Sequence, residues 1–192
     1  MRFYQAVRFG CVFAMAAALV QPQSSGPDPY PAAMSLNYNP LLWQGDDAQF
    51  ARDMLHASYC TAEMSRTVAT KTHDAAVETV AATIAREQRK LYRQLHNMAR
   101  TFNFRLPSKS DLQDCPSASR IAELSGRQMD SDYMALLLKS AAVNVSRFEA
   151  EIAMPKLPAN WTLWNLAKKD LPIMRGEETA VKNVQQTIAQ EK

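Results

Sequence analysis

The sequence predicts an all-α fold in which four long amphipathic helices close into an antiparallel bundle, and three observations carry that reading. Apolar residues return three, four and seven positions apart through four separate segments, the spacing that lines one helix face. Only 5 of the 192 residues are glycine, while Ala, Leu, Met, Gln, Lys and Arg abound, a balance that suits helix better than sheet. Two of the connections are short and the middle one is long, as expected of two antiparallel hairpins placed side by side.

The chain opens with MRFYQAVRFGCVFAMAAALV, two arginines followed by an apolar run from Cys11 to Val20 with small residues at Ala14, Ala16 and Ala18. Residues 1–20 read as a cleaved export signal, which directs the mature protein to the periplasm or the exterior. The apolar run is roughly half of the ~20 residues that a spanning helix needs. Cys11 precedes most of that run, unlike a lipid-attachment cysteine, and no later segment is apolar enough to span. Residues 21–45 are rich in Pro, Ser and Asn without a period, and read as a flexible tether.

The bundle then occupies residues 46–189. Asp46 or Asp47 is expected to cap a first helix running to about Thr72, with Phe50, Met54, Ala57, Thr61, Met64 and Val68 on one stripe. After a break at His73-Asp74, a second helix runs from about Ala75 to Asn103, with Val77, Val80, Ala81, Ile84, Leu91, Leu95, Met98 and Phe102 facing inward and Gln88 standing where an apolar residue is expected. The connection from Phe104 to Ser117 is broken by Pro107, Ser108, Ser110 and Cys115-Pro116.

The third and longest pattern, Leu124 to Ile152, places Met129, Tyr133, Leu136, Leu137, Val143 and Phe148 on its apolar face. Pro155 and Pro158 end it, and Asn160 is a credible N-cap for a fourth helix from Trp161 to about Ala189. Trp164, Ala167, Leu171, Met174, Val181 and Ile188 share that helix's face. Pro172 lacks an N–H and crowds the carbonyl of Lys168, so a kink is expected there.

Charge argues against a nucleic-acid partner. The net charge of +3 falls by two when the leader takes Arg2 and Arg8 with it, and no basic patch interleaved with aromatics follows. Cys60 and Cys115 remain in a compartment that permits disulfides, and both a bond between them and two separate buried thiols are open at this point. No CxxC or Cys/His zinc spacing, no G-x-S-x-G and no Glu-x-x-His pair occurs, so nothing marks the chain as an enzyme.

Other chemistry-bearing residues have plain structural readings. His56 and Glu63, seven apart, read as exposed or rim residues, and His73 and His96 fall in a turn and at the end of the second helix. Glu87, Glu177 and Glu178 have Arg86, Arg89, Lys90 and Arg175 for ion-pair partners. The 10 methionines read as core filling, and Trp161 and Trp164 as anchors for the start of the fourth helix.

Leu124-Ser125-Gly126, Met129-Asp130 and Tyr133, taken with Leu106-Pro107 and Leu171-Pro172, resemble the pattern of a family of exported bacterial ferritin-like proteins grouped as domain of unknown function 4142. The resemblance spans roughly Asp47 to Thr187 and implies a ferritin-like four-helix bundle with the long connection between helices two and three. It also implies a candidate metal position: a Glu on the first helix, a His on the second, a His in the middle of the third, and a His five residues after the proline of the fourth. In this sequence those four places are taken by Thr61, Gln88, Ala141 and Glu177. Only Glu177 keeps a good metal-ligating side chain, so the position is degenerate.

The expectation is therefore an exported, non-enzymatic bundle without a cofactor, acting as a structural or binding protein of the cell envelope through an envelope protein or self-association. The alternative is a divalent-metal or redox role in envelope stress, using Glu177 with Glu178, Glu87 or a histidine. A third reading gives recognition of a partner or the cell wall to the tether.

Overall fold

The computed structural model describes residues 45–101, 114–156 and 160–190, all within a compact unit running Ser35–Lys192. The expected leader, the tether up to residue 44, Leu106-Pro107 and the end of the second helix beyond Thr101 lie outside the described residues. The described residues form five helices and no strand: α1 Asp46–Lys71, α2 Ala75–Thr101, α3 Pro116–Glu123, α4 Gly126–Ala153 and α5 Trp161–Gln190. None of these is long and apolar enough to cross a membrane.

The four long helices stand where the periodicity put them, and two of their ends differ from expectation. Gly45, with φ 55°, holds the N-cap place of α1, so Asp46 and Asp47 are first-turn residues whose charge suits the helix dipole. Asp74 caps α2, its Oδ1 accepting from the Ala76 and Val77 amides at 2.8 and 3.1 Å. The short helix α3, with Pro116 in its first turn and only Ile121 buried, was hidden among the breakers of the long connection. Lys71 fastens its end, donating through Nζ to the Ala122 and Leu124 carbonyls at 2.8 and 2.7 Å.

At Leu124-Ser125-Gly126 the chain turns from α3 into α4. Ser125 is extended at the N-cap and Gly126 has φ 57°, a left-handed conformation that glycine enters without Cβ strain. Pro172 sits inside α5, which continues through it.

Two apolar clusters build the core. One joins Phe50, Met54 and Leu55 of α1 to Leu91 and Leu95 of α2, Phe148 of α4, and Leu163, Leu166 and Met174 of α5. The other joins Met64 and Val68, Val77 to Ile84, Ile121, Met129 to Leu137, and Val181. The start of α1 thus meets the end of α2, the end of α4 and the start of α5. The directly packed pairs α1 and α2, α4 and α5, α1 and α4, and α2 and α5 are therefore antiparallel. Because α1 runs antiparallel to both α2 and α4, the chain leaves α2 at one end of the bundle and begins α4 at the other.

Candidate functional site

Between the two clusters lies a level with more polar side chains. On α1 it spans the residues between Leu55 and Met64, on α2 those between Ile84 and Leu91, on α4 those between Leu137 and Phe148, and on α5 those between Met174 and Val181. Thr61, Gln88, Ala141 and Glu177, one from each long helix, all fall in these intervals. Thr61, Gln88 and Ala141 are buried. Glu177 is half-buried as a residue, but its Oε1 is sealed from solvent.

Gln88 and Glu177 are in direct contact: the amide Nε2 donates to Glu177 Oε2 at 2.6 Å and lies 3.6 Å from Met174 Sδ. The remaining oxygens, Gln88 Oε1 and Glu177 Oε1, are both buried acceptors without a donor. Burial pushes the Glu177 carboxyl up to about 8, against the lowering effect of the Gln88 hydrogen bond and reinforced by the charge of Glu87. A proton on Glu177 at neutral pH supplies the donor that the pair lacks. Nearby, Tyr133 donates to Ser65 Oγ at 3.0 Å, and burial raises its phenol.

The ion pairing expected of the three glutamates holds for two. Glu87 meets Arg86 at 3.2 Å and Lys90 at 3.7 Å, and Glu178 meets Lys182 at 2.6 Å. Arg175 turns away to Glu149 at 2.7 Å, so Glu177 faces the amide of Gln88. Glu63 pairs with Arg66 and Arg89, at 2.8 and 3.0 Å.

His56 corrects the reading of an exposed or rim residue: it is only 8% exposed. Its Nε2 stands 3.0 Å from the Asp114 carbonyl oxygen and 3.6 Å from Cys60 Sγ. Cys60 and Cys115 are joined in a disulfide, with Cα atoms 5.5 Å apart at a sequence separation of 55. Cys115 is also the N-cap residue of α3, so the bond pins the start of that helix to the middle of α1. The spacing of His56 and Cys60, one helical turn on a shared face, was a signal for this group.

A second acidic group went unnoticed in the sequence. Glu151, 1% exposed, closes the end of α4 beside Asp47, whose Oδ1 accepts from Asn160 Nδ2 at 3.4 Å. Burial first and the Asp47 charge second push Glu151 to about 7, and burial also raises Asp47. Glu151 lies three residues beyond Phe148 on the buried stripe, and that spacing could have revealed it. With Asp46, Asp53 and Arg147 it lines a cavity of about 290 Å³. At the same end, Trp164 Nε1 donates to the Ile152 carbonyl at 3.1 Å, as an anchor should. Trp161 instead is 53% exposed, with Lys156 Nζ 4.0 Å above its ring.

The donor set at the waist is wrong for a transition metal. One carboxyl held largely protonated, one amide and one hydroxyl, with Ala141 contributing nothing, lack the imidazole and carboxylate ligands such ions prefer. Among the described residues, the group of three or more His, Cys, Asp or Glu close enough to share an ion is His56, Cys60 and Cys115, none of which is one of the four family positions.

No curated protein and no solved structure matches the chain. Residues 35–184 match the family model described as Domain of unknown function (DUF4142), which covers the whole of the long-helix region up to the last turns of α5. The chain belongs to that family.

Proposed function

We propose that this protein is an exported, non-enzymatic ferritin-like bundle that serves the cell envelope as a structural or binding protein, its family metal position having become a hydrogen-bonded seam. The observation that carries the reading is the 2.6 Å bond from Gln88 to Glu177, set at the level where the resemblance calls for imidazole and carboxylate ligands. A raised carboxyl facing an amide holds two helices together, and gives a cation little to bind. That α2 ends and α4 begins at opposite ends of the bundle supports the ferritin-like topology, in which one long crossover joins two antiparallel hairpins.

One observation favours the alternative of a weak metal or redox role. Gln88 Oε1 and Glu177 Oε1 are buried acceptors without donors, and a cation is one way to satisfy them. Metal analysis of protein purified from the periplasm separates the two readings. The proposal expects no stoichiometric metal and an unchanged melting temperature when divalent ions are added to the disulfide-bonded protein. Stoichiometric iron, manganese, zinc or copper, lost in Glu177→Ala, would establish the alternative. Recovery of envelope partners with and without residues 21–45 tests the tether as the recognition element, and equal recovery removes it.

A further inference from the structure

We propose that reduction of the Cys60–Cys115 disulfide converts it, together with His56, into a Cys2His site for zinc or a similarly thiophilic divalent ion. The site is separate from the Gln88–Glu177 pair and does not rest on the reading of that seam.

Geometry supports the conversion from two directions. In a tetrahedral zinc site, Zn–S of about 2.3 Å and Zn–N of about 2.0 Å set the N···S edge at roughly 3.5 Å. His56 Nε2 already stands 3.6 Å from Cys60 Sγ. Breaking the S–S bond lets the two sulfurs part to nonbonded contact at roughly 3.8 Å, which is the S···S edge of the same tetrahedron. The ligand atoms of all three residues lie within 4.8 Å of one another, and all three residues are buried. They are held by independent elements: His56 and Cys60 one turn apart on α1, Cys115 at the head of α3.

The chemistry of the surroundings agrees. Two thiolates and an imidazole select zinc or copper(I) over magnesium or calcium. Cys115 is the N-cap residue of an eight-residue helix, whose positive dipole end suits an anionic ligand there. The Asp114 carbonyl, 3.0 Å from His56 Nε2, keeps the ring proton on that nitrogen in the disulfide form. For Nε2 to ligate a metal, that proton must leave it, and the ring then carries its proton on Nδ1.

The balance closes with a dithiol reductant. Its two electrons break the S–S bond and it is itself oxidised to a disulfide. The ion is then taken up by two thiolates, so that one bound divalent ion is accompanied by two protons released to solvent. Reoxidation by a disulfide oxidant, which takes the two electrons and is itself reduced to a dithiol, re-forms the S–S bond and expels the ion. The three-residue set leaves a fourth coordination position for water or another ligand.

The test uses the full-length chain carrying Cys11→Ser, so that only Cys60 and Cys115 titrate. The protein is reduced with a phosphine, freed of reductant anaerobically, and titrated with Zn²⁺, with Co²⁺ as a spectroscopic probe. One ion per reduced chain, with thiolate-to-cobalt charge-transfer absorption, and none per oxidised chain is the expected result. His56→Ala should weaken binding at least about tenfold. Circular dichroism of the reduced, metal-free chain keeps the outcome interpretable. If helicity is retained and no more metal binds than in the oxidised protein, the proposal fails. It fails equally if uptake is indifferent to His56→Ala, or if reduction unfolds the chain and metal does not restore it.

Discussion

Glu177 Oε2 accepts a 2.6 Å hydrogen bond from Gln88 Nε2 across the seam between α2 and α5, and the other oxygen of each partner is buried without a donor. Burial in a low-dielectric interior favours a proton on the acid, and for that reason its carboxyl rises to about 8 despite the lowering effect of the Gln88 hydrogen bond.

The pH dependence of stability follows with a definite sign. An acid that titrates near 4.5 in the unfolded chain and near 8 in the folded one binds its proton more tightly when folded. Its contribution is complete below about pH 4.5 and is lost as pH rises towards 8, at about 1.4 kcal/mol per unit of separation, or a few kcal/mol in all. Urea unfolding of the wild type and Glu177→Gln at pH 5 and pH 9 isolates the effect, because other titrations cancel in the difference. The variant should gain on the wild type at pH 9. An equal difference at both pH values would show that Glu177 titrates normally.

The disulfide closes a loop of 55 residues, and chain entropy puts its contribution at about 4 kcal/mol. Reduction, or replacement of both Cys60 and Cys115 by serine, should lower the urea midpoint accordingly. The protected amides lost first should be those of α3, because Ile121 is its one buried side chain and the disulfide ties its start to α1.

Two glycines should answer the same substitution with opposite signs. A Cβ at either Gly126 or Gly176 meets nothing within 4 Å, so packing is not at stake. Gly126 has φ 57°, and an L residue there costs about 1–2 kcal/mol. Gly176 lies inside α5 without such strain, and alanine there should stabilise by about 1 kcal/mol. Thermal unfolding of Gly126→Ala and Gly176→Ala checks both.

How much was legible in the sequence differs between backbone and site. Helix positions were, because Phe50, Met54, Met64 and Val68 on α1, or Val77, Ala81, Ile84, Leu91 and Leu95 on α2, keep the helical period with apolar side chains. In α4 the buried face runs through Ala141, Asn144 and Glu151, and the apolar Leu136 and Val143, expected inside, are only half-buried. A hydropathy pattern follows apolar residues and so loses a face that turns polar. The level shared by Thr61, Gln88, Ala141 and Glu177 was marked by the resemblance. The pairing of Gln88 with Glu177 was not, because it depends on which side chains meet across 89 residues of sequence. His56 looked like a surface residue because its burial depends on Asp114 and Cys115, which the chain brings back from the far side of the long connection.

The end of the bundle should loosen as pH rises through neutrality. Both Glu151 oxygens lack a hydrogen-bond donor, and burial with the nearby Asp47 carboxylate favours a proton on the acid. The helix ends bias its place: the start of α1 favours a negative Asp47, and the end of α4 disfavours a negative Glu151. Asn160 further favours the Asp47 anion, while Asp46 adds repulsion to Glu151 and Arg147 is engaged with Asp53 at 3.4 Å. Glu151 therefore holds its proton up to about pH 7, and its raised value contributes stability that is full below about 4.5 and fades through 7. Above that, two anions face each other between the first turn of α1 and the last of α4. Amide exchange in those two turns, corrected for its intrinsic pH dependence, should accelerate between pH 6 and 8.5 in the wild type and much less in Glu151→Gln. Matching acceleration in the variant would place the responsible proton elsewhere.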